Sequence, residues 1–545
     1  MFLLLIATLL AVVQQPAQPA QEPAARIEGV VVNAGSGDPL SNAVLLLSKD
    51  GAGQLETRYG TTTRSDGHFT LNDIPKGRYR LAASMPGFVD QEYGQKRVNG
   101  SGAVLDLTKE QSLQDIVIRL TPGGVISGRV YDQAGHPLEG AVIRAFRRRY
   151  QATGKSSLSG VAFAATNDLG EYRLYWLPPG TYYLFATVLP LLRAATGAPI
   201  GSSVIRKSED VPDAFAPTFY PNGDDDSQAA PINVEAGAEL RGMDFSLARL
   251  KAVKVKGRIV DADSGQPVPG ASLDMWPQFL DSTNLRGIAA HVDDEGKFEF
   301  QNAPPGKHVL TGRMIMPGFR QLSDRRELQI GNKDVTDLEI RLKSNPNIRG
   351  RLIMEDGDPM PRDRTVLVFT NYDNPANGTF GSGVEADGTF SLSNVLPGVL
   401  HLELAGFPDN FYIRSARTDD ADALADGLDV TDHSVDSLVV IVGSKGGTVE
   451  GLVYGDRQEP IVAARVVLMA NSSRHVTKVV TADQFGRFAI RGIVPGDYKI
   501  FAWEDVEPNA YFDPSFMERY QSQGQPLHVE DNGQVVLSLK AIPSS

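Results

Sequence analysis

One stretch of sequence, Gly170-Glu171-Tyr172-Arg173-Leu174-Tyr175-Trp176-Leu177-Pro178-Pro179-Gly180, recurs in outline five times along the 545-residue chain. Each copy runs from a turn glycine through an aromatic residue, and an apolar residue two positions later, to a second turn that contains Pro and Gly. The two glycines are ten residues apart in every copy: Gly67 and Gly77, Gly170 and Gly180, Gly296 and Gly306, Gly388 and Gly398, Gly486 and Gly496. The apolar residues two positions apart and the constant spacing between the two turns predict repeated hairpins with fixed strand lengths.

The sequence on either side of this stretch also repeats. Each copy follows an opening strand with glycine at its centre, at residues 27–31, 126–130, 255–259, 348–352 and 449–453. Each copy is followed by an alternating closing strand, at residues 116–120, 243–247, 338–342, 438–442 and 535–539. Short strands with turn signals every 8 to 12 residues are typical of an antiparallel sandwich.

The sequence therefore predicts an all-β, elongated protein of five tandem antiparallel β-sandwich domains, called here the first to fifth units. Their predicted bounds are 26–121, 124–248, 253–343, 347–443 and 447–542. Two segments break the repeat: an insertion at 190–231 in the second unit, and a short helix near 513–523 in the fifth unit. Asp513 can cap that helix, and Pro514 suits its first turn. Functional elaboration tends to lie in such insertions.

These motifs resemble a known family. The I-x-G-x-V opening, the G-A-x-V step seen at Gly140-Ala141-Val142 and the D-x-G-x-[FY]-x-[LF] strand look like those of carboxypeptidase regulatory-like domains. The resemblance implies a transthyretin-like or starch-binding-like (carbohydrate-binding-like) sandwich. It does not imply one function, because such modules accompany peptidases, adhesins, receptors and glycan-binding proteins.

The N-terminus predicts export. Residues 2–13 are apolar, with the length of a signal-peptide core, and a Gln/Pro/Ala-rich stretch follows. Residues 1–25 are therefore predicted to be a signal peptide and flexible leader, and the protein to be periplasmic, in the outer envelope or extracellular. An uncleaved N-terminal anchor is the alternative, and no other membrane span is predicted.

The composition and motif content disfavour several classes of partner and active site. The formal charge of −13 disfavours nucleic acid as a partner. The absence of cysteine excludes disulfides, thiolate metal sites and a cysteine nucleophile. The sequence has neither H-E-x-x-H nor G-x-S-x-G, and its eight histidines are scattered, so we expect surface histidines and no catalytic residue, cofactor or metal. Asp224, Asp225 and Asp226 are best explained as a solvated loop, with calcium binding as the alternative.

One basic run provides the candidate ligand-binding residues, Arg147, Arg148, Arg149 and Tyr150. Arginines interleaved with aromatic residues could hold an acidic glycan or another polyanion, whereas the simpler interpretation is an edge strand protected by charge. Three successive arginines cannot all face outward, so the strand is expected to leave the sandwich there. Trp176 and Trp503 are expected to pack in a turn or core.

The function predicted from sequence is a non-enzymatic, exported binding or scaffold protein of the cell envelope, whose partners are polysaccharide or envelope proteins. Two alternatives stay open. One is an accessory subunit or hydrolase with its site in the insertion of the second or fifth unit. The other is an adhesin or structural spacer.

Overall fold

The computed structural model describes residues 25–50, 58–97, 100–108, 112–188, 214–278, 288–361, 366–371, 379–418, 421–424, 427–431, 433–470 and 477–544. The predicted signal peptide and leader, apart from residue 25, lie outside the described residues, as does the first part of the predicted insertion. Nearly all regular structure is β, so the predicted all-β fold is confirmed.

The first unit contains two sheets that enclose one core. Its strands are β1 (Ala25–Asn33), β2 (Val44–Lys49), β3 (Tyr59–Thr62), β4 (His68–Ile74), β5 (Arg78–Ser84), β6 (Gln91–Glu92), β7 (Leu105–Asp106) and β8 (Ser112–Leu120). One sheet has the order β4-β1-β8, and the other has the order β3-β2-β5-β6, with β7 also paired to β5.

The second unit repeats this plan with additions. Its strands are β9 (Gly124–Asp132), β10 (Val142–Tyr150), β11 (Ser156–Ala165), β12 (Glu171–Leu177), β13 (Gly180–Thr187), β14 (Ala214–Phe215), β15 (Thr218–Phe219), β16 (Ile232–Val234), β17 (Glu239–Leu240), β18 (Phe245–Leu247) and β19 (Arg249–Leu250). The main sheets are β12-β9-β17, with β18 also on β9, and β11-β10-β13-β15, with β16 also on β13. A separate pair joins β14 to β19, and residues Asp226–Gln228 form a 3-10 turn.

In the third unit the strands join into one sheet. They are β20 (Val253–Asp261), β21 (Ser272–Pro277), β22 (Ile288–Ala290), β23 (Lys297–Ala303), β24 (Gly306–Ile315), β25 (Gln321–Ile330) and β26 (Val335–Ser344), with a 3-10 turn at Pro317–Phe319. The order is β22-β21-β24-β25-β26-β20-β23. The long hairpin β24–β25 connects the two halves, which remain separate sheets in the other units.

The fourth unit has two four-stranded sheets. Its strands are β27 (Ile348–Met354), β28 (Val366–Thr370), β29 (Thr379–Gly383), β30 (Thr389–Leu392), β31 (Val399–Ala405), β32 (Tyr412–Arg417), β33 (Leu428–Asp429) and β34 (Val435–Gly443). The orders are β30-β27-β34-β32 and β29-β28-β31-β33.

The fifth unit adds the helix. Its strands are β35 (Gly447–Tyr454), β36 (Arg465–Ala470), β37 (Thr477–Thr481), β38 (Arg487–Ile493), β39 (Gly496–Trp503), β40 (Gln525–Val529) and β41 (Gln534–Lys540). A 3-10 turn at Ala510–Phe512 precedes α1 (Pro514–Glu518), where the Asp513 carboxylate accepts a hydrogen bond from the Ser515 amide at 2.9 Å. The helix is shorter than the predicted 513–523.

The opening and closing strands of each unit pair in parallel, whereas the other pairings are antiparallel apart from the short β17 beside β9. The parallel pairs are β1–β8, β9–β18, β20–β26, β27–β34 and β35–β41. This close pairing explains the repeated glycine of the opening strand. A Cβ added at Gly451 would lie 1.8 Å from the Leu537 carbonyl oxygen, so no side chain fits there.

Each of five hydrophobic cores is built from buried residues of one unit. Ile27, Ile126, Val255, Ile348 and Val449, from the opening strands, are all 0% exposed. The aromatic residue of the repeated turn stretch also lies in the core of its unit. These residues are Phe69, Tyr172, Phe298, Phe390 and Phe488. These cores follow the predicted units, and the exact domain bounds stay a prediction.

The molecule is elongated, but its units do not follow one another in a line. The fifth unit contacts the first, where Val104 and Asp483 form a parallel β-bridge, and the second, where Tyr150 packs on Phe516. Phe485 of the fifth unit also packs against the core of the first. None of the helices in the described part of the chain has the length and apolar character needed to cross a bilayer.

Candidate functional site

The predicted ligand-binding run lies at the end of β10. This strand pairs with β13 as far as Phe146, and with β11 as far as Tyr150, with a bulge between Ala145 and Phe146. Beyond Phe146 the strand therefore continues as a two-stranded ribbon that projects from the sandwich. The three arginines lie on this ribbon, although Arg147 still packs on Tyr182, a buried residue of the second-unit core.

The four side chains of this run have different surroundings. Arg147 lies over the Tyr182 ring and Arg148 over the Tyr183 ring, each with 5.5 Å from guanidinium carbon to ring centroid. Arg148 is exposed, whereas Arg147, Arg149 and Tyr150 are partly buried. Burial lowers the pKa of Arg149, and the positive charge of Arg147 lowers it further. The run is thus not one continuous basic surface, and its ligand-binding role stays a prediction.

The acidic run of the second unit forms a capped turn. Asp225 accepts a hydrogen bond from the Ser227 amide at 3.0 Å, and Asp224 accepts one from the Gln228 side chain at 3.1 Å. Asp225 also lies 3.7 Å from the Lys307 ammonium of the third unit. Across the described ranges, no three His, Asp or Glu side chains are grouped so that they could hold a metal ion together.

One histidine departs from the prediction of surface positions. His308 is only 1% exposed, within β24, and its Nδ1 atom lies 3.1 Å from the Gly306 carbonyl oxygen. Burial lowers its pKa from the ordinary value of 6.5, so the neutral form is favoured at this position. The surface assignment is wrong for His308 because the strand continues through the turn position and turns this side chain inward.

An open groove lies between the first and second units. We call it the first–second groove: one wall consists of Phe88, Asp90, Gln91 and Gln95, and the other of Trp176 and Pro178. Its volume is about 500 Å³, within the range of ligand-binding clefts. One wall therefore carries two amides and the carboxylates of Asp90 and Glu92, of which that of Glu92 is paired with Arg80 at 3.2 Å, and the other wall carries an indole ring.

The aromatic wall is exposed to solvent. Trp176 is 50% exposed and Tyr175 is 55% exposed, with their ring centroids 5.1 Å apart and the rings nearly perpendicular. The expectation that Trp176 packs in a core or turn is wrong, because its ring stands outside the core that Leu174 and Leu177 enter. Trp503 is 1% exposed, in the cluster around α1.

The polar wall of the groove is held by hydrogen bonds within the first unit. Gln91 donates to the Gln95 carbonyl oxygen at 3.0 Å, and Gln95 in turn accepts from the Glu92 amide at 2.7 Å. The carboxylate of Asp90 has no hydrogen bond or ion pair with another described residue. Partial burial raises the pKa of Asp90.

The segment of the first unit that carries the polar wall also contacts the fifth unit. Arg97 pairs with Asp505 at 2.9 Å and with Glu507 at 3.1 Å. The Gln484 side chain accepts from the amide of Asp106 at 3.0 Å and donates to its carbonyl oxygen at 3.1 Å. We call these contacts the first–fifth junction. They hold the loop that carries the polar wall of the first–second groove.

A larger cavity, of about 760 Å³, is lined by residues of the fourth unit. Three of its four charged side chains have partners: Arg349 pairs with Asp436 at 3.3 Å, and Arg351 donates to the Asp387 carbonyl oxygen at 3.1 Å. Its aromatic lining residue, Phe390, is only 3% exposed, so no exposed ring lies beside these groups and we favour the first–second groove.

The first unit contains the opening strand and the turn strand that carry the motif resemblance. Residues 26–110 match the carboxypeptidase regulatory-like domain. The resemblance inferred from the motifs is thus confirmed for these residues, which are similar to that domain. The Asp90 wall of the first–second groove lies within the matched residues, whereas the Trp176 wall lies beyond them.

Solved structures with some likeness to this chain include the following three. The Bacillus anthracis TIE protein is 10% identical over 78% of this chain and 76% of that chain, with a TM-score of 0.16. A streptococcal ancillary pilin is 13% identical over 59% and 99%, with a TM-score of 0.21. The minor pilin GBS52 of Streptococcus agalactiae is 14% identical over 42% and 97%, with a TM-score of 0.21. Likenesses this weak say nothing about what this chain does. No curated protein shows significant sequence similarity to it.

Proposed function

We propose that this chain is an exported binding protein of the cell envelope that holds polysaccharide in the first–second groove and carries no catalytic site of its own. The observation that supports the proposal is the groove itself, in which an exposed indole faces a wall of carboxylate and amide groups. Sugars offer both an apolar face of C–H groups and a rim of hydroxyls. Such a ligand is matched by one aromatic wall and one polar wall.

The arrangement of the units favours binding because it orders the groove before the ligand arrives. The polar wall is braced on one side by its own hydrogen bonds and on the other by the first–fifth junction. A wall that is already ordered loses little conformational entropy when a ligand binds, which raises affinity. The fifth unit thus acts as a support for a site that it does not line.

Export and location in the envelope are part of the proposal and rest on the apolar N-terminal segment at residues 2–13. Fractionation of cells that express the full chain tests this part. We expect the protein outside the cytoplasm, and N-terminal sequencing of the mature protein to start within or directly after residues 14–25. Recovery in the cytoplasm with an intact N-terminus would contradict it.

Binding is tested with the whole protein on a panel of soluble polysaccharides, neutral and acidic, by isothermal titration calorimetry. We expect saturable binding of at least one polysaccharide, without release of reducing ends during prolonged incubation. Absence of binding across the panel would overturn the proposed ligand class. Steady release of reducing ends would instead support the alternative of a hydrolase.

A further inference from the structure

One backbone position repeats among the units with an unusual conformation. It lies six residues after the turn glycine, and its φ angle is positive in four units: 57° at Asp73, 57° at Trp176, 58° at Asn394 and 60° at Gly492. Left-handed backbone is tolerated by Gly, Asn and Asp and is unfavourable for bulky side chains. Three of these units therefore use residues suited to the position, and the second unit places a tryptophan there.

The tryptophan does not gain burial in return. The register of β12 against β9 shifts between Leu174 and Leu177, and both of these leucines are 1% exposed in the core. Trp176, inside this bulge, is 50% exposed. The repeated bulge accounts for the backbone conformation, but folding of the second unit does not account for an exposed tryptophan at a position unfavourable to it, and such outliers concentrate at functional sites.

The linker between the first and second units restrains the backbone of this bulge. A Cβ added at Gly123, in the linker between the two units, would lie 2.5 Å from the Trp176 Cα, so the linker packs directly on this backbone. Trp176 lines the first–second groove together with Asp90, whose carboxylate is exposed and without a partner among the described residues.

We propose that Trp176 is the stacking platform for a pyranose ring of a neutral polysaccharide, with Asp90 accepting hydrogen bonds from its hydroxyls. This inference rests on the proposed function and names the ligand class and the residues of the same groove. A flat indole covers the C–H face of a sugar, and a carboxylate is a strong acceptor for hydroxyl groups. The unpaired carboxylate of Asp90, in a chain of net charge −13, repels acidic polymers, whereas the Glu92 carboxylate is paired with Arg80 at 3.2 Å.

The first test replaces Trp176 by Asn, the residue found at the equivalent position 394 of the fourth unit. Because Asn suits the backbone, W176N should fold with an unchanged or higher Tm while affinity for a bound neutral polysaccharide falls by about tenfold or more. D90N should weaken binding less than W176N. The matched control is F163N, which removes an exposed ring (59%) of the same unit outside the groove and should bind as the unaltered chain does.

Tryptophan fluorescence gives an independent measurement. The other two tryptophans, Trp276 and Trp503, are 9% and 1% exposed, so quenching of the emission by acrylamide reports mainly on Trp176. Soluble neutral chains such as laminarin, dextran and maltoheptaose are the probes, with alginate as the acidic one. We expect a binding neutral probe to protect the emission from acrylamide and to lose this effect in W176N.

The outcomes separate the two proposals. If none of the probes, neutral or acidic, binds the unaltered chain, the proposed function fails and the assignment to Trp176 fails with it. If a neutral probe binds and W176N keeps its affinity, only the assignment to Trp176 is overturned. If alginate alone binds, polysaccharide binding stands and the neutral ligand class is overturned.

Discussion

The two sides of one loop in the first unit, at residues 88–97 and 100–106, meet the second and fifth units in different ways. On the fifth-unit side, the charged and polar groups find partners: Arg97 pairs with two carboxylates, and Asp106 with Gln484. On the second-unit side, Asp90 has no partner among the described residues and Trp176 is half exposed. The contrast indicates that one side serves assembly of the chain and the other is available to a ligand.

The largest expected effect comes from breaking the fifth unit itself. Gly451→Ala would place a Cβ 1.8 Å from the Leu537 carbonyl oxygen, inside the parallel pair β35–β41. We expect the free energy of unfolding to fall by about 3 kcal/mol or more, seen by calorimetry as an unfolding transition at lower temperature. Polysaccharide binding should weaken too, since the loop at residues 88–97 loses the support of the fifth unit.

Gly331→Ala is the control, because an added Cβ there meets nothing within 4 Å. Equal stability of the two variants would refute the packing argument.

Arg97→Ala breaks the first–fifth junction while leaving both units folded. The side chains of Arg97 and Asp505 are 30% and 15% exposed, so Asp505 is left mostly buried without its cation. We expect a loss of about 2 kcal/mol in denaturant unfolding, with separation of the two units detectable by small-angle scattering. Arg491→Ala is the matched control. It breaks the exposed pair with Asp409 between the fourth and fifth units, 54% and 75% exposed, and should cost less than about 1 kcal/mol.

A smaller effect depends on pH. Asp483 lies in the first–fifth junction, and burial raises its pKa above the ordinary 3.8 despite hydrogen bonds from the Arg487 and Phe485 amides. The raised value means that the folded state favours the protonated acid. The stability contribution of this group is therefore greatest below pH 3.8 and declines as pH rises through the raised pKa. Asp483→Asn should remove this decline. The free energy of unfolding of the variant should therefore increase relative to that of the unaltered chain as pH rises. A constant difference between the two proteins at all pH values would contradict it.

The smallest effect is expected at the basic run. Arg148 is exposed over the Tyr183 ring, outside both the first–second groove and the first–fifth junction. Arg148→Ala should change the free energy of unfolding by no more than about 0.5 kcal/mol and leave neutral polysaccharide binding unchanged. If binding of an acidic glycan is lost in this variant, the ligand-binding role predicted for residues 147–150 is supported.

The sequence predicted the strands, the turns and the separate cores, because spacing and alternation of residue types determine them locally. The glycine at the centre of each opening strand was visible in the same way. Sequence did not reveal that this glycine faces a parallel closing strand, since pairing depends on residues about 85 positions apart, such as Gly451 and Leu537.

The candidate site was less predictable. The basic run stood out by composition, whereas Trp176 was assigned to packing because an aromatic residue before a turn usually contributes to a core. Its exposure follows from the bulge between Leu174 and Leu177, which turns the ring away from the sandwich. A signal was nevertheless present in the sequence: at the position six residues after the turn glycine, the other four units place Asp73, Asn302, Asn394 and Gly492.

The parallel pairing of opening and closing strands has a mechanical consequence. A parallel pair makes the chain enter a unit at one end of the strands and leave it at the other. Tension applied to the two termini of a unit therefore pulls these strands along their length, and loads all of their mutual hydrogen bonds together rather than one after another. Under such tension the contacts of the fifth unit with the first two would part before any sandwich unravels. The chain would then lengthen in two stages, first by separation of the fifth unit from the first two and then by unfolding of individual sandwiches.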